Sequence, residues 1–522
     1  MVHASFGIFL GLVGLVAAQN ATIPQGVVRG ISTTLPGGKA SVSKFLGIPF
    51  AKSPQRFSPP VSAEAFKSNP YDATQLKASC IQQFNYPDNV RAFTNRLFNT
   101  PPPPSESEDC LYINVYAPSG ATPASSLPVM VWIHGGGLQF GSASSPFYDG
   151  GFMAGNQNVV VVSFNYRTNV FGFPNSPELP TIGQNLGLLD QRLALAWIQK
   201  NIPAFGGDPQ KVTIFGESAG AMSVDALVTS YPTNSPFRAA IMQSGQDTIR
   251  TQTATPGGTA KNASLLSWNA LASGLGCANA TSPLACLRAS EPLAIKSFIE
   301  HSRLSFKPVV DGITRVSDPK QKRADRQIAN VPVLIGSNAQ EGTALAYGQS
   351  NITAALNTLF PTKKTLQDEV SAAYAVGKGG LNTPFQAIAK IYTDLIFQCP
   401  ASIYAASSAA ASHPTYRYYY NATFANIQPL PGLNAYHSSE IPLVFGNLPA
   451  NSTPEQVSLS ALLQKSWANF AKNPQAGPGW DKIDAKAGGD NVAVFTLNGL
   501  ASVRAKELDQ RCAVLEPLLK RL

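Results

Sequence analysis

The sequence predicts an α/β protein with one large, mostly parallel central sheet covered by helices on both faces. Three observations predict it. Short, wholly apolar runs recur along the chain, as strands buried on both faces require. Segments of helical spacing separate them. Two of the runs end in glycine-rich turns, His134-Gly135-Gly136-Gly137 and Gly216-Glu217-Ser218-Ala219-Gly220, and ligand sites on such sheets lie at the strands' carboxyl ends.

The elements follow in order. Residues 6–18 are almost wholly apolar or small and close on Val16-Ala17-Ala18. That predicts a secretory leader over 1–18 and one mature domain over 19–522. From Ile23 to Pro60, short β-like runs such as Gly26-Val27-Val28-Arg29-Gly30 read as a small antiparallel excursion. Between Cys80 and Cys110, Val90, Phe93, Leu97 and Phe98 fall at i, i+3, i+7 and i+8. This amphipathic stripe is either a helix packed on the body or a flap over a pocket. Residues 129–133, 159–164, 212–215 and 331–335 read as buried strands, 417–420 as a fifth, and 187–199 and 219–229 as helices. Residues 251–303 show less order and read as peripheral.

Bulk properties exclude several functions. Hydrophobic residues make up 44% and charged residues 13%, enough apolar material for a large core and too much for a disordered chain. The net charge is +9, but the densest basic group, Lys320, Lys322, Arg323 and Arg326, is interleaved with Asp318 and Asp325. That is a solvated face, and nucleic-acid binding is excluded on this reading. Beyond the leader, no segment has the length and apolarity of a membrane span.

The six cysteines, Cys80, Cys110, Cys277, Cys286, Cys399 and Cys512, include no CxxC pair, so disulfides are favoured over a metal site. Asn-x-Ser/Thr triplets at Asn20, Asn262, Asn279, Asn351, Asn421 and Asn451 fit a glycosylated, secreted protein.

The chemistry starts at Ser218. Gly216 to Gly220 follows a strand and precedes a helix, the context a Gly-x-Ser-x-Gly nucleophile elbow needs. The glycines permit the sharp turn, and the helix N-terminus favours developing negative charge. Gly135 to Gly137 offers backbone N–H groups with no side chains in the way, which suits an oxyanion hole completed by the Ala219 N–H. A serine also needs a base, and the base an orienting acid. On this fold the acid follows the serine and the histidine comes last. His3 lies in the leader and His134 in the glycine motif, and His301 would need a very early acid. His413 precedes the strand at 417–420 and enters the sheet at the wrong end, so His437, after that strand, is the better base. Glu341 and Asp311 both remain candidate acids on pattern, with Glu341 following the clearer strand.

Taken together, these motifs resemble the type-B carboxylesterase/lipase family, which includes the cholinesterases, from about Gly26 to Cys512. Gly47-Ile48-Pro49-Phe50-Ala51 and Glu108-Asp109-Cys110-Leu111-Tyr112-Ile113-Asn114-Val115 look like its signatures, and Gly187-Leu188-Leu189-Asp190-Gln191-Arg192 and Phe205-Gly206-Gly207-Asp208-Pro209 lead into the elbow as that family does. The resemblance implies an α/β-hydrolase fold and a triad of Ser218, Glu341 and His437, with Glu341 preferred to Asp311. It implies oxyanion donors Gly136, Gly137 and Ala219, bracing polar groups Glu217, Ser244 and Glu440, and disulfides Cys80–Cys110, Cys277–Cys286 and Cys399–Cys512. The first disulfide closes the flap of the family's secreted fungal lipases, whose opening Cys80-Ile81-Gln82-Gln83 resembles, and this favours the flap reading of the 90–98 stripe.

The implied activity is hydrolysis of a small-molecule or lipid ester through an acyl-enzyme, with contact at a lipid interface if the enzyme is a lipase. No metal or organic cofactor is needed, and no oligomeric state is implied. The 80–110 loop has no Trp to hold a quaternary ammonium by cation–π contact, which argues against choline esters. Leu138 stands after the triple glycine where many relatives have Phe, which would alter the pocket's shape. The rival class is a non-catalytic adhesion protein of the same family. Such proteins typically lose a triad member and continue into a membrane span, and neither feature is present in this sequence.

Overall fold

The structure, a computed structural model, describes residues 18–38, 40–248, 260–484 and 490–521. Apart from Ala18, the predicted leader lies outside the described residues, as does part of the 251–303 segment. The strands are β1 (Ala18–Ile23), β2 (Gly26–Thr34), β3 (Ser41–Pro49), β4 (Tyr71–Asp72), β5 (Tyr112–Pro118), β6 (Leu127–Ile133), β7 (Val160–Phe164), β8 (Gly207–Glu217), β9 (Ala239–Gln243), β10 (Val333–Asn338), β11 (Thr415–Asn421), β12 (Asn491–Thr496) and β13 (Gly499–Arg504). They form one sheet in the order β1-β2-β3-β5-β7-β6-β8-β9-β10-β11-β12-β13, with β4 beside β2. From β7 to β12 every pairing is parallel, and antiparallel strands flank both ends. This is the α/β-hydrolase fold.

The period of two along a strand explains why the apolar runs are continuous. On β6, Val129, Val131 and Ile133 join one core cluster, while Met130 and Trp132 join the other, on the opposite face. Trp132 meets Phe215 and Phe445 at ring distances of 4.9 and 5.0 Å. A strand packed on both faces has no position that must be polar.

Three expectations need correction. The 23–60 segment is antiparallel, as expected, but it is no small excursion: β1, β2 and β3 continue the main sheet through the β3–β5 pairing. The 331–335 strand is displaced. It begins at Val333, because Pro332 has no N–H to give a ladder, and it runs on to Asn338, paired with Tyr420. Nor is 251–303 peripheral, since its helices Ala260–Gly274 and Pro292–His301 bury Trp268, Leu271, Ile295 and Ile299 in the core.

The structure contains the disulfides Cys80–Cys110, Cys277–Cys286 and Cys399–Cys512. Asn20, Asn279, Asn351, Asn421 and Asn451 are exposed, as glycan attachment requires. Asn262 lies in the helix Ala260–Gly274, with its side chain outside the described part. Among the described residues no helix is long and apolar enough to cross a membrane, and no cluster of His, Cys, Asp and Glu is arranged to hold a metal.

Candidate active site

The candidate residues follow the carboxyl ends of adjacent parallel strands. The glycine run follows β6, Ser218 follows β8, Ser244 follows β9, Glu341 follows β10, and His437 lies beyond β11. Sheet order alone therefore gathers them.

At the elbow, Ser218 has φ 56° and ψ −122°, outside the regions non-glycine residues prefer, a strain of about 1–3 kcal/mol that its surroundings hold in place. Its N–H donates to the Gln243 carbonyl at 2.9 Å, and its own carbonyl accepts from Met222 N–H at 3.0 Å. The turn is possible because Gly220 lacks a side chain: a Cβ there would lie 2.0 Å from the Ile133 carbonyl oxygen. Ala219 opens the helix Ala219–Ser230, so its N–H has no intrahelical partner. Gly136 has φ +101°, and a Cβ there would lie 2.2 Å from the Phe140 carbonyl oxygen. Leu138, expected to shape the pocket, is instead buried in the core, with its carbonyl bonded to Asn169 N–H at 2.7 Å.

His437 is buried, and its Nδ1 lies 2.7 Å from Glu341 Oε2. The other Glu341 oxygen accepts the Asn338 N–H at 2.7 Å. On its far side, His437 Nε2 lies 3.2 Å from Glu217 Oε1, which also accepts from Ser438 Oγ at 2.7 Å. Glu440 accepts amide N–H groups from Asn338 at 2.6 Å and Gln243 at 2.9 Å, and Trp467 Nε1 donates to Gln243 at 2.9 Å. Ser244, directly after β9, has its backbone in a left-handed conformation and lines a cavity together with Ser218 and His437.

Burial pushes the Glu217 carboxyl above the ordinary carboxylate range, and the neighbouring His437 pulls it back down. Burial acts the other way on His437, but the nearby carboxylates, Glu217 first and then Glu341, outweigh it and hold the imidazole above its ordinary value. A general base must be neutral, so activity is expected to rise with pH through this raised value. Glu217→Gln removes a negative charge beside His437. The acidic limb of the kcat/KM–pH profile is then expected to move down by about one unit or more. An unmoved limb would contradict this electrostatic account.

The rejected alternatives have other occupations. Asp311 Oδ1 accepts the N–H groups of Ile313, Thr314 and Arg315, so it holds a turn. His134 is buried against Tyr166 at 4.3 Å, and burial lowers it to about 4. His413 lies at the amino end of β11, where burial also lowers it to about 4. His301 stacks on Tyr86 at 3.9 Å, at the end of a helix.

Ser218, His437, Gly136 and Gly137 line one cavity of about 1170 Å³, above the usual range for a small-molecule pocket. The 90–98 stripe is a helix, Asp88–Phe98, whose Val90, Phe93, Leu97 and Phe98 all line that cavity, as a flap would. Its base is held by Glu300, which accepts the Phe84 N–H at 2.8 Å and pairs with Arg91 at 2.6 Å. Sequence reasoning missed Phe397, whose ring lies 4.6 Å from the His437 ring. It sits on a π-helical turn, Thr393–Gln398, an irregularity often found at functional sites, and only its position two residues before Cys399 marks it in the sequence.

The sequence pattern of the carboxylesterase family matches residues 17–512. The para-nitrobenzyl esterase of Bacillus subtilis (strain 168) is 36% identical over 87% of this chain and 90% of its own. The Homo sapiens cocaine esterase is 35% identical over 90% and 86%. The Bungarus fasciatus acetylcholinesterase is 34% identical over 91% and 81%.

Proposed function

The chain belongs to the carboxylesterase family and is a carboxylic ester hydrolase, and from that premise we propose that it works through an acyl-enzyme on Ser218 and prefers esters with apolar acyl chains. The observation that carries the reading is the hydrogen bond from His437 to Glu341, at a cavity His437 shares with Ser218. His437 Nε2 takes the proton of Ser218 Oγ as that oxygen attacks the ester carbonyl. Glu341 holds the imidazole with Nδ1 protonated, so that Nε2 carries the lone pair that accepts, and stabilises the imidazolium that forms. The N–H groups of Gly136, Gly137 and Ala219 receive the oxyanion. The alcohol leaves with the proton from His437, and water then releases the acid by the same steps in reverse roles.

The apolar preference rests on the cavity walls. Phe93, Phe98, Phe140, Ile396 and Phe397 face the space, and Val90, Phe147, Leu345 and Tyr347 stand exposed where it opens. Such a rim suits contact with a lipid surface and supports the lipase type over a soluble-ester esterase. The disulfides and exposed sequons support secretion to an extracellular, oxidising compartment.

A series of p-nitrophenyl esters from acetate to decanoate tests the preference. Each added methylene buries about 0.8 kcal/mol of apolar surface, so kcat/KM is expected to climb up to about fourfold per carbon until the pocket is full. With tributyrin, the rate should step up beyond the solubility limit. Simple saturation on short esters, with activity lost on long ones, would overturn the lipase reading and leave an esterase.

A further inference from the structure

Lys307 lies outside every motif, on the stretch between the Pro292–His301 helix and β10. Its Nζ donates to the Gly137 carbonyl oxygen at 3.0 Å. Gly137 belongs to the glycine run that lines the cavity, and a Cβ on it would meet nothing within 4 Å. The rest of that loop is held from behind. The Gly135 carbonyl lies 3.0 Å from His134 Nδ1, the Gly136 carbonyl accepts from Gln139 and Phe140 N–H, and the Leu138 carbonyl accepts from Asn169 N–H. The Gln139 carbonyl accepts from Gln83 N–H and Asn169 Nδ2. At Gly137 the hold is a side-chain cation, the Lys307 ammonium.

The cation is itself placed. Asn175 Nδ2 donates to the Lys307 carbonyl at 3.1 Å, and Asn185 brackets Val309 through both its N–H, at 2.9 Å, and its carbonyl, at 2.8 Å. Burial pulls the ammonium below the ordinary lysine value, and no carboxylate among the described residues offsets that shift. Its charge is therefore directed at the loop and not spent on an acid.

We propose that Lys307 is a positioning residue for ester hydrolysis, its ammonium fixing the Gly137 carbonyl and with it the Gly137–Leu138 peptide that closes the turn carrying the Gly136 and Gly137 N–H groups. The proposal rests on the Ser218 acyl-enzyme reading. A positive charge on that turn also favours the anion that forms in the transition state over the neutral ester that binds first.

The test compares wild type, Lys307→Met and Lys307→Arg on p-nitrophenyl butyrate, with fluorophosphonate labelling of Ser218 as a separate readout of the site. Losing an oxyanion donor outright costs about 10²–10³ in kcat, so loosening one through Lys307→Met should cost about tenfold with KM within about twofold. Inhibition by a trifluoromethyl ketone, which adds to Ser218 as a tetrahedral oxyanion, should weaken by that same factor, with Tm unchanged. Lys307→Arg should restore most of the rate. If Lys307→Met does not fold, Lys307→Ala, which also removes the donor, is expected to show the same split. Wild-type kcat and ketone inhibition in the neutral variant, with Ser218 still labelled, would overturn the role of Lys307 alone. Equal losses in KM and Tm that Lys307→Arg does not rescue would make it a packing residue. If wild-type Ser218 takes no label, the underlying reading fails as well.

Discussion

Ser218→Ala is expected to lower kcat by about 10⁶-fold on p-nitrophenyl esters, with Tm close to that of wild type. The nucleophile is one oxygen, and no other hydroxyl at the turn is placed by the elbow to replace it. The fold should tolerate the change because alanine adds no volume and meets the same backbone strain at φ 56° that serine already carries. What remains would be the rate the oxyanion donors give to attack by water. Steady-state kinetics beside a thermal melt decide the matter, and an active, folded variant would remove Ser218 from the mechanism.

Glu341→Gln is expected to lower kcat by about 10⁴-fold while leaving the fold and KM nearly intact. The amide keeps an oxygen for the Asn338 N–H, so the turn after β10 survives. The other end of the group is the problem. Where the carboxylate accepts from His437 Nδ1, an amide nitrogen donates, which forces the proton of the neutral imidazole onto Nε2, and Ser218 Oγ then has no base. The variant also loses a carboxylate that raises the His437 pKa, so whatever activity is left should show its acidic limb at lower pH. Glu341→Asp keeps the charge but shortens the reach across a 2.7 Å contact, and it should lie between the two. A Gln variant as active as wild type would return the acid role to the rivals, of which Asp311 is committed to three backbone N–H groups.

The parallel middle of the sheet was legible because buried strands leave an unbroken apolar mark. β9 was not. Ala239-Ala240-Ile241-Met242-Gln243 is short and rich in residues that also suit helices, and its pairing with β8 and β10 decides its state. The antiparallel edge was read as a small excursion because short β-like runs do not reveal which sheet they join. In the 251–303 segment, Trp268 and Leu271 stand at helical spacing, a signal that was present and went unused.

At the site, the elbow and the glycine run announced themselves because their chemistry is local in sequence. Glu341 could be told from Asp311 only by resemblance, since both are acids in short glycine-containing loops, and the difference lies in what each touches. The Lys307–Gly137 contact spans 170 residues and leaves no sequence pattern. The same holds for the Phe397 ring against His437.

The central claim is that Ser218 is an activated nucleophile, and its direct test is labelling of the wild-type protein with a fluorophosphonate, followed by peptide mass spectrometry. The account predicts one phosphonyl group per chain, on Ser218, with esterase activity falling in proportion to labelling. It also predicts faster labelling as pH rises through the His437 pKa. Full labelling at another residue, or loss of activity with Ser218 unmodified, would contradict it.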